Sequence, residues 1–464
     1  MLTRIEIEGF KSFEDFHLDL SPFVVILGPN ATGKSNLFDG IQFLSNLASK
    51  DLREAVKGLR GEVDELFRHA SPGTSETTMC LAAEVLIDPT IQDPWGTQVK
   101  LTHTRIRYQV KIERRIDERG IKRLVIAEEE ARPILARDDR WKNVYNEFPE
   151  SFKKVHFKYS RRVPWLETKR EENQVSFHIR QDGKAGRTRP AHIPEATVLS
   201  SITTTEFPHL FALREEMRSW RFLQLDPAAL RRPSPMMAPE MLLPDGSNLA
   251  AVLWHIKAET QESHQPKGSL VDIASELATL IPGILDVDVI DDQHTKEYRA
   301  HVKMRDGFPF PTRVISDGTL RVLAFLTLLY DPKRRGLICF EEPENGVHPA
   351  RLRTLIKRLQ ELVNDPALAE EMSDAPLTQL LMNSHSPVVL SVLKSAAGKT
   401  KGLGQIFFAD LVGVTDPATG TVRRKTRIRP VIETSEYNLF GVESGEKVDS
   451  SEVDRYLSTV DMEG

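Results

Sequence analysis

The stretch Phe23-Val-Val-Ile-Leu-Gly28-Pro29-Asn30-Ala31-Thr32-Gly33-Lys34-Ser35 decides how this chain is read. Its first five residues are a continuous apolar run of strand length, and the next eight fit G-x-x-x-x-G-K-[ST] at every fixed position. Lys34 to Ala48 then places Leu37, Ile41, Leu44 and Leu47 at spacings of three and four, the apolar stripe of a helix. Strand, glycine loop and helix in that order suit one chemistry. Glycines let backbone N–H groups close around phosphate oxygens, and the helix N-terminus adds partial positive charge. Lys34 reaches the β and γ phosphates, and the Ser35 hydroxyl takes Mg²⁺. A glycine turn that binds nothing has little support beside both flanking elements.

Outward from this loop the pattern is uneven. Ahead of it, RIEIEGF and HLDL read as short strands. Beyond about residue 50 come strand-like runs (TMCLAAEVLI, TRIRYQVKIERR, RLVIAEEE, QVSFHIR) broken by polar stretches. Residues 231–248, dense in proline, read as an ordered connection. From 314 the α/β pattern returns, with a helix over about 318–330, a strand GLICFE, a helix over 350–363 and a strand QLLMNS. The expected fold is therefore α/β, one phosphate-loop head split by an insertion. Residues 1–50 and 300–412 form the head, 51–299 a β-rich basic insertion with a helical part, and 413–464 an extension. The end of the chain, 443–464, is acidic and is expected to be loosely ordered.

Three further segments carry chemistry. Leu337-Ile-Cys-Phe-Glu341-Glu342-Pro-Glu ends an apolar strand in adjacent carboxylates, the arrangement that supplies a metal-side acid followed by a water-activating base. His385, in Met-Asn-Ser-His-Ser-Pro, follows another strand end and suits a γ-phosphate sensor, although a lone histidine is more often structural. Ser316-Asp317-Gly318 opens a helix, a position fit for anion capture or for plain capping. Residues 151–190 hold eleven Lys or Arg against four acids, with Phe152, Phe157, Tyr159, Trp165 and Phe177 interleaved. Such a surface could follow a nucleic-acid backbone and stack bases, while a solvated face of the insertion is the commoner explanation.

Taken together, IEGFKSF, GPNATGKSNLFDGIQFL, SDGTLRVLAFLTLL, FEEPENGVHP and NSHSP resemble the RecF/SMC/OLD branch of ABC-type ATPases. The chain is more closely similar to the bacterial AAA_21 group, through LREAVKGLRGEVDELFRHA, Trp220-Arg221-Phe222, Leu230-Arg-Arg-Pro233, Pro244 to Ala250 and Ile281-Pro-Gly283, over about residues 1–412. The resemblance implies an ABC-type P-loop ATPase head using ATP and Mg²⁺. Gly28 to Ser35 hold the phosphates, Ser35 and Glu341 the metal, Glu342 is the general base and His385 contacts the γ-phosphate. Ser316, Asp317 and Gly318 complete a partner subunit's site, which implies a homo-oligomer, an ATP-sandwich dimer or an assembly of such dimers. The chain departs from the ABC pattern in Glu341, where Asp is usual, and in SDG for SGG, which sets Asp317 where a glycine would approach phosphate and makes slow hydrolysis the expectation. No Q-loop glutamine is assignable, and the basic run Arg423-Arg424-Lys425-Thr426-Arg427-Ile-Arg429 has no family counterpart.

Composition bounds the rest. The chain's 464 residues are long enough for two or three domains of about 150. With 40% apolar and 28% charged residues it reads as an ordinary soluble globular chain. Its net charge of −5 leaves nucleic acid open, because a local basic face outweighs the total. Cys80 and Cys339, far apart and outside any ligand spacing, support neither a disulfide framework nor zinc, and a reducing, cytoplasmic setting fits best. No apolar run approaches the roughly 18 residues of a membrane span, and MLTRIEIEGF is not a signal peptide. The expected role is an ATP-driven dimeric switch, a nucleic-acid-linked sensor in phage defence or DNA repair. OLD proteins carry a Toprim nuclease on the same chain; here a nuclease would act in trans, as an effector protein. The alternative is a scaffold or regulator, indifferent to DNA and RNA, that recruits or restrains an effector. A transporter subunit and a metabolic kinase fit less well.

Overall fold

The structure is a computed structural model describing residues 1–71, 74–116, 119–144, 149–171, 174–181, 184–363, 377–397, 405–415, 422–432 and 447–460. At its centre lies a sheet in the order Arg221–Leu223, Gly336–Glu341, Thr378–Ser384, Phe23–Leu27, Gln405–Thr415, Val422–Ile432, Val448–Asp449. The first five strands are parallel, and Val422–Ile432 returns antiparallel to Gln405–Thr415. Parallel strands covered on both faces read as unbroken apolar runs, which is why Phe23–Leu27 is wholly buried.

Alternate side chains of these strands enter two different cores. Val24, Ile26, Leu337, Cys339 and Leu381 face the helix Lys34–Leu47, through Leu37, Ile41, Leu44 and Leu47, and a second, antiparallel sheet. Phe23, Val25, Leu27, Ile338, Phe340 and Met382 face helices that include Leu249–Thr260, Leu270–Leu280, Asp317–Tyr330, Pro349–Glu361 and Pro387–Ala397. Each fully buried aliphatic side chain contributes about 1.5–3 kcal/mol, so neither face of the sheet tolerates a polar substitution.

The second sheet runs Lys184–Ala191, Gln174–Gln181, Leu166–Glu171, Lys122–Pro133, Arg105–Ile116, Thr78–Leu86, Leu2–Glu8, Phe16–Asp19. Strands from before residue 50 thus share one sheet with strands of the 51–299 stretch. A buried Arg105–Asp139 pair at 2.7 Å, with Arg105 Nη1 donating to Thr3 Oγ1 at 2.9 Å, ties the two segments.

Two expectations need correction. Phe152, Trp165 and Phe177 are buried, with Trp165 stacked on His209 at 4.8 Å, so these three are core rather than a base-stacking platform, while Phe157 and Tyr159 are half-buried. Towards the end of the chain, Ser450–Val460 is a helix whose Val453 and Leu457 lie in the core beside Val448. Their apolar spacing holds that segment in place despite its acidity; residues 443–446 and 461–464 lie outside the described residues.

Candidate functional site at the carboxyl edge of the central sheet

Register brings the sequence motifs together. Leu223 pairs with Phe340, Glu341 with Asn383, Ser384 with Leu27, and Leu27 with Phe408, so Gln224, Glu341, His385 and Gly28 all leave the same edge of the parallel strands. Ligands of open α/β sheets bind in the crevice outside that edge.

Gly33 has φ 93°, a left-handed conformation that glycine adopts without strain, and caps the helix Lys34–Leu47. Asn30 and Ala31 stand exposed at the tip of the loop. The Thr32 hydroxyl donates to Pro29 O at 2.9 Å. Lys34 is 5% exposed, and its Nζ donates to Gly28 O and Pro29 O, each at 2.6 Å. Burial pushes its pKa down to about 8, against the pull of Glu342, Glu344 and Glu341.

Ser35 Oγ lies 3.5 Å from Glu341 Oε2. Two hard oxygen donors facing each other at the start of the loop helix are the donor set Mg²⁺ takes, so these residues fit that ion. Glu342 has φ 47°, rare for a residue with a side chain, and its N–H donates to Asn383 Oδ1 at 3.0 Å. One carboxylate oxygen of Glu342 accepts from Asn345 Nδ2 at 2.6 Å and the other lies 3.3 Å from His385 Nδ1. The backbone strain and these two contacts aim the carboxylate.

Ser316 and Asp317 are exposed at the start of Asp317–Tyr330, where Ser316 Oγ accepts from Thr319 N. Asp317 pairs with Arg231, which also donates to Ile315 O at 3.0 Å. A Cβ on Gly318 would lie 2.3 Å from Gly346 O, so this glycine is required by contact with the loop after the acidic strand. Among the described residues no hydrogen bond or ion pair joins 316–318 to 28–35. Loop, acids and histidine come together; the 316–318 segment stands apart from them.

Sequence reasoning missed three residues of this edge. Arg60 holds Glu341 through both guanidinium nitrogens, at 2.7 and 3.2 Å, and also donates to Asp39 and to Ser35 O. Gln224 follows the strand Arg221–Leu223 and lines a cavity of about 130 Å³ with Glu341, Arg60 and Asp39. Glu344 is buried, accepts from Ser384 Oγ at 2.5 Å, and burial raises its pKa. The third acid of EEPE was a visible signal for Glu344; Arg60 and Gln224 carry none in their local spacing.

A family model described as "AAA domain, putative AbiEii toxin, Type IV TA system" (AAA_21) matches residues 23–391, most of the chain. The chain belongs to the AAA_21 family. This agrees with the RecF/SMC-type ABC ATPase resemblance of its motifs. Within the curated proteins, the AAA_21 chain is 44% identical to the structural maintenance of chromosomes protein 1 of Schizosaccharomyces pombe over 68 residues, 13% of this chain and 6% of that protein. It is 46% identical to the chromosome partition protein Smc of Methanocaldococcus jannaschii over 54 residues, 11% of this chain and 5% of that one. The chain spans about one-twentieth of the length of these relatives. Similar solved structures include the SMC head domain of Thermotoga maritima, with a TM-score of 0.35 and 10% identity over 93% of this chain and 99% of that one. Another is the Pyrococcus furiosus Smc head domain with an extended coiled coil, bound to the C-terminal domain of ScpA, with a TM-score of 0.42 and 12% identity over 92% and 96%.

Proposed function

We propose that this AAA_21 protein binds and hydrolyses ATP with Mg²⁺ and acts as a dimeric switch, two heads closing on nucleotide head to tail. One observation carries the reading: Lys34, Ser35, Glu341, Glu342 and His385 leave one edge of one parallel sheet, while among the described residues the corner with exposed Ser316 and Asp317 makes no hydrogen bond or ion pair to any of them. A corner of that kind is useful against another subunit's nucleotide. The proposed head is built on the lobes 1–50 and 300–412, with Arg221–Leu223 from the 51–299 insertion and Val422–Ile432 and Val448–Asp449 from the 413–464 extension adding strands to its central sheet.

In the loop 28–35, Lys34 and the N–H groups of residues 30–35 would bind the phosphates, and Ser35 and Glu341 would hold Mg²⁺, which would neutralise charge developing on the phosphate oxygens. Glu342 takes the proton of the attacking water, with Asn345 and His385 fixing its carboxylate, and His385 contacts the γ-phosphate. Arg60 holds both oxygens of Glu341 and so orients its carboxylate towards Ser35. Loss of the base leaves binding intact, so Glu342→Gln should bind ATP, lose at least about a hundredfold in turnover and accumulate as dimers by light scattering; normal hydrolysis by this variant removes the assignment. Lys34→Ala should abolish nucleotide binding.

For the wider role we favour a cytoplasmic nucleic-acid-linked sensor in phage defence or repair, with an effector such as a Toprim-type nuclease in trans. Its support is a groove of about 590 Å³ on the antiparallel sheet, lined by Arg161, Arg162, Arg180, Arg187 and His178. Arg161 and Arg180 both donate to Pro164 O, at 3.4 and 3.2 Å, which converges two guanidinium groups at one spot. The second reading, a regulator of a toxin-like effector, draws on the toxin–antitoxin description of the family. No helix among the described residues is long and apolar enough to cross a membrane.

A further inference from the structure

The hairpin Gln405–Thr415/Val422–Ile432 lies beyond the family match, which ends at residue 391, yet its second strand reaches the phosphate loop. Thr426, buried and opposite Leu411, donates its hydroxyl to Thr32 O at 2.9 Å. Its backbone N–H donates to Ser12 O at 3.0 Å. Ser12 Oγ lies 2.7 Å from Thr426 Oγ1, and Asn36 Nδ2 donates to Ser12 Oγ at 2.9 Å. A hydroxyl has one proton, and Thr426 gives its own to Thr32 O, so Ser12 is the donor in their contact. The relay therefore runs in one direction, from Asn36 to Ser12 to Thr426 to the carbonyl of Thr32.

Gly33 is part of the same device. A Cβ on it would lie 2.0 Å from Thr426 Oγ1, so the space a side chain would fill is taken by this hydroxyl. Carbonyl and N–H of one trans peptide point in opposite directions. Fixing Thr32 O towards the hairpin therefore fixes the Gly33 N–H away from it, on the side where the loop's donors meet phosphate.

We propose that Thr426 is a positioning residue for nucleotide binding: a hydroxyl from the C-terminal hairpin orients the Thr32–Gly33 peptide. The inference rests on the ATP-binding reading above. A donor held in place before the ligand arrives lowers the ordering cost of binding, so its loss weakens affinity more than it slows chemistry.

The test is ATP affinity by calorimetry and steady-state hydrolysis for the full chain, comparing wild type, Thr426→Val, Thr426→Ser and Ser12→Ala. Thr426→Val, close in shape but without the hydroxyl, should raise Kd and KM for ATP about tenfold with kcat within about twofold. Thr426→Ser should restore both constants to within about twofold. Ser12→Ala, which breaks the relay without touching the hairpin, should weaken binding about threefold and keeps the inference open to refutation if Thr426→Val does not fold. A merely structural threonine would lower Tm and kcat together without separating KM from kcat. Equal ATP affinity in wild type and Thr426→Val, or a serine variant as weak as the valine one, overturns the inference alone. Absence of ATP binding by wild type overturns the ATPase reading and this inference with it.

Discussion

Lys34 illustrates how a single buried charge sets a working pH range. Its ammonium is satisfied by two loop carbonyls, and burial lowers its pKa to about 8 from an ordinary value of 10.5. Between those two values the unfolded chain holds a proton that the ligand-free fold has released, so the fold's stability rises with pH across that window. Nucleotide acts in the opposite sense. Phosphate favours the charged form, so ATP binding above pH 8 must take up a proton. Affinity for ATP should be flat from pH 7 to about 8 and fall by up to about tenfold per unit above it, with proton uptake visible as a dependence of the calorimetric enthalpy on buffer. Affinity unchanged to pH 9.5 would mean that Lys34 keeps its proton in the ligand-free protein or does not meet phosphate. Lys34 itself was legible because its spacing to Gly28 and Gly33 is local. Glu344 stood in view beside Glu341 and Glu342, whereas Arg60, Gln224 and Thr426 join the site only through strand register and tertiary packing, which leave no fixed spacing to read.

Between elements, the departure of SDG from the usual SGG acquires a physical account. Asp317 brings a negative charge to the start of the helix Asp317–Tyr330, where it favours the helix dipole, and Arg231 from the Leu-Arg-Arg-Pro segment balances it. The following glycine is held for another reason, the approach of Gly346 O to the place of its missing Cβ. Arg321 of the same helix donates to Asn345 O at 2.9 Å, and Asn345 in turn holds Glu342. Gly318→Ala should therefore push the 343–348 loop, cost about 1–3 kcal/mol of stability and lower hydrolysis through the displaced Asn345. Urea unfolding and ATPase rate measure the two effects; a variant with wild-type stability would show that the loop gives way freely. The elements themselves were largely readable. Period-2 and period-3.6 patterns gave Thr78–Leu86, Arg105–Ile116 and Lys34–Leu47 within a residue or two, because each buries one face. The burial of Phe152, Trp165 and Phe177 was not legible because the charge around them hid it: Phe152 packs from the helix Glu150–His156, Trp165 from the residue before a strand, and Phe177 from the inward face of Gln174–Gln181.

At the scale of the molecule, the central sheet is bonded on one side to the helical layer and on the other, through Lys34–Leu47, to the antiparallel sheet that carries the arginine groove. Strands Leu2–Glu8 and Phe16–Asp19 belong to that second sheet and lead directly into Phe23–Leu27 and the phosphate loop. A load on the groove thus has a short covalent and packed route to Lys34. With Phe152, Trp165 and Phe177 in the core, a nucleic acid in this groove would be recognised chiefly by charge. Among its arginines Arg180 is offset by Glu167 and Arg187 by Glu206, and Arg161 is engaged by Val163 O and Pro164 O. Few phosphates can then be neutralised, and the salt slope should be shallow, about −2 to −4 in log affinity against log salt. If the protein is a nucleic-acid-linked switch, ATPase rate at low salt should rise at least about threefold with one of single- or double-stranded DNA or RNA, and the rise should vanish at moderate salt. Arg162→Glu together with Arg187→Glu should remove that stimulation while basal hydrolysis and ATP affinity stay unchanged, because neither residue touches the phosphate edge. A rate indifferent to every polymer, in wild type and charge-reversed protein alike, would transfer the role to the effector-restraining reading and make a partner protein the ligand of this face.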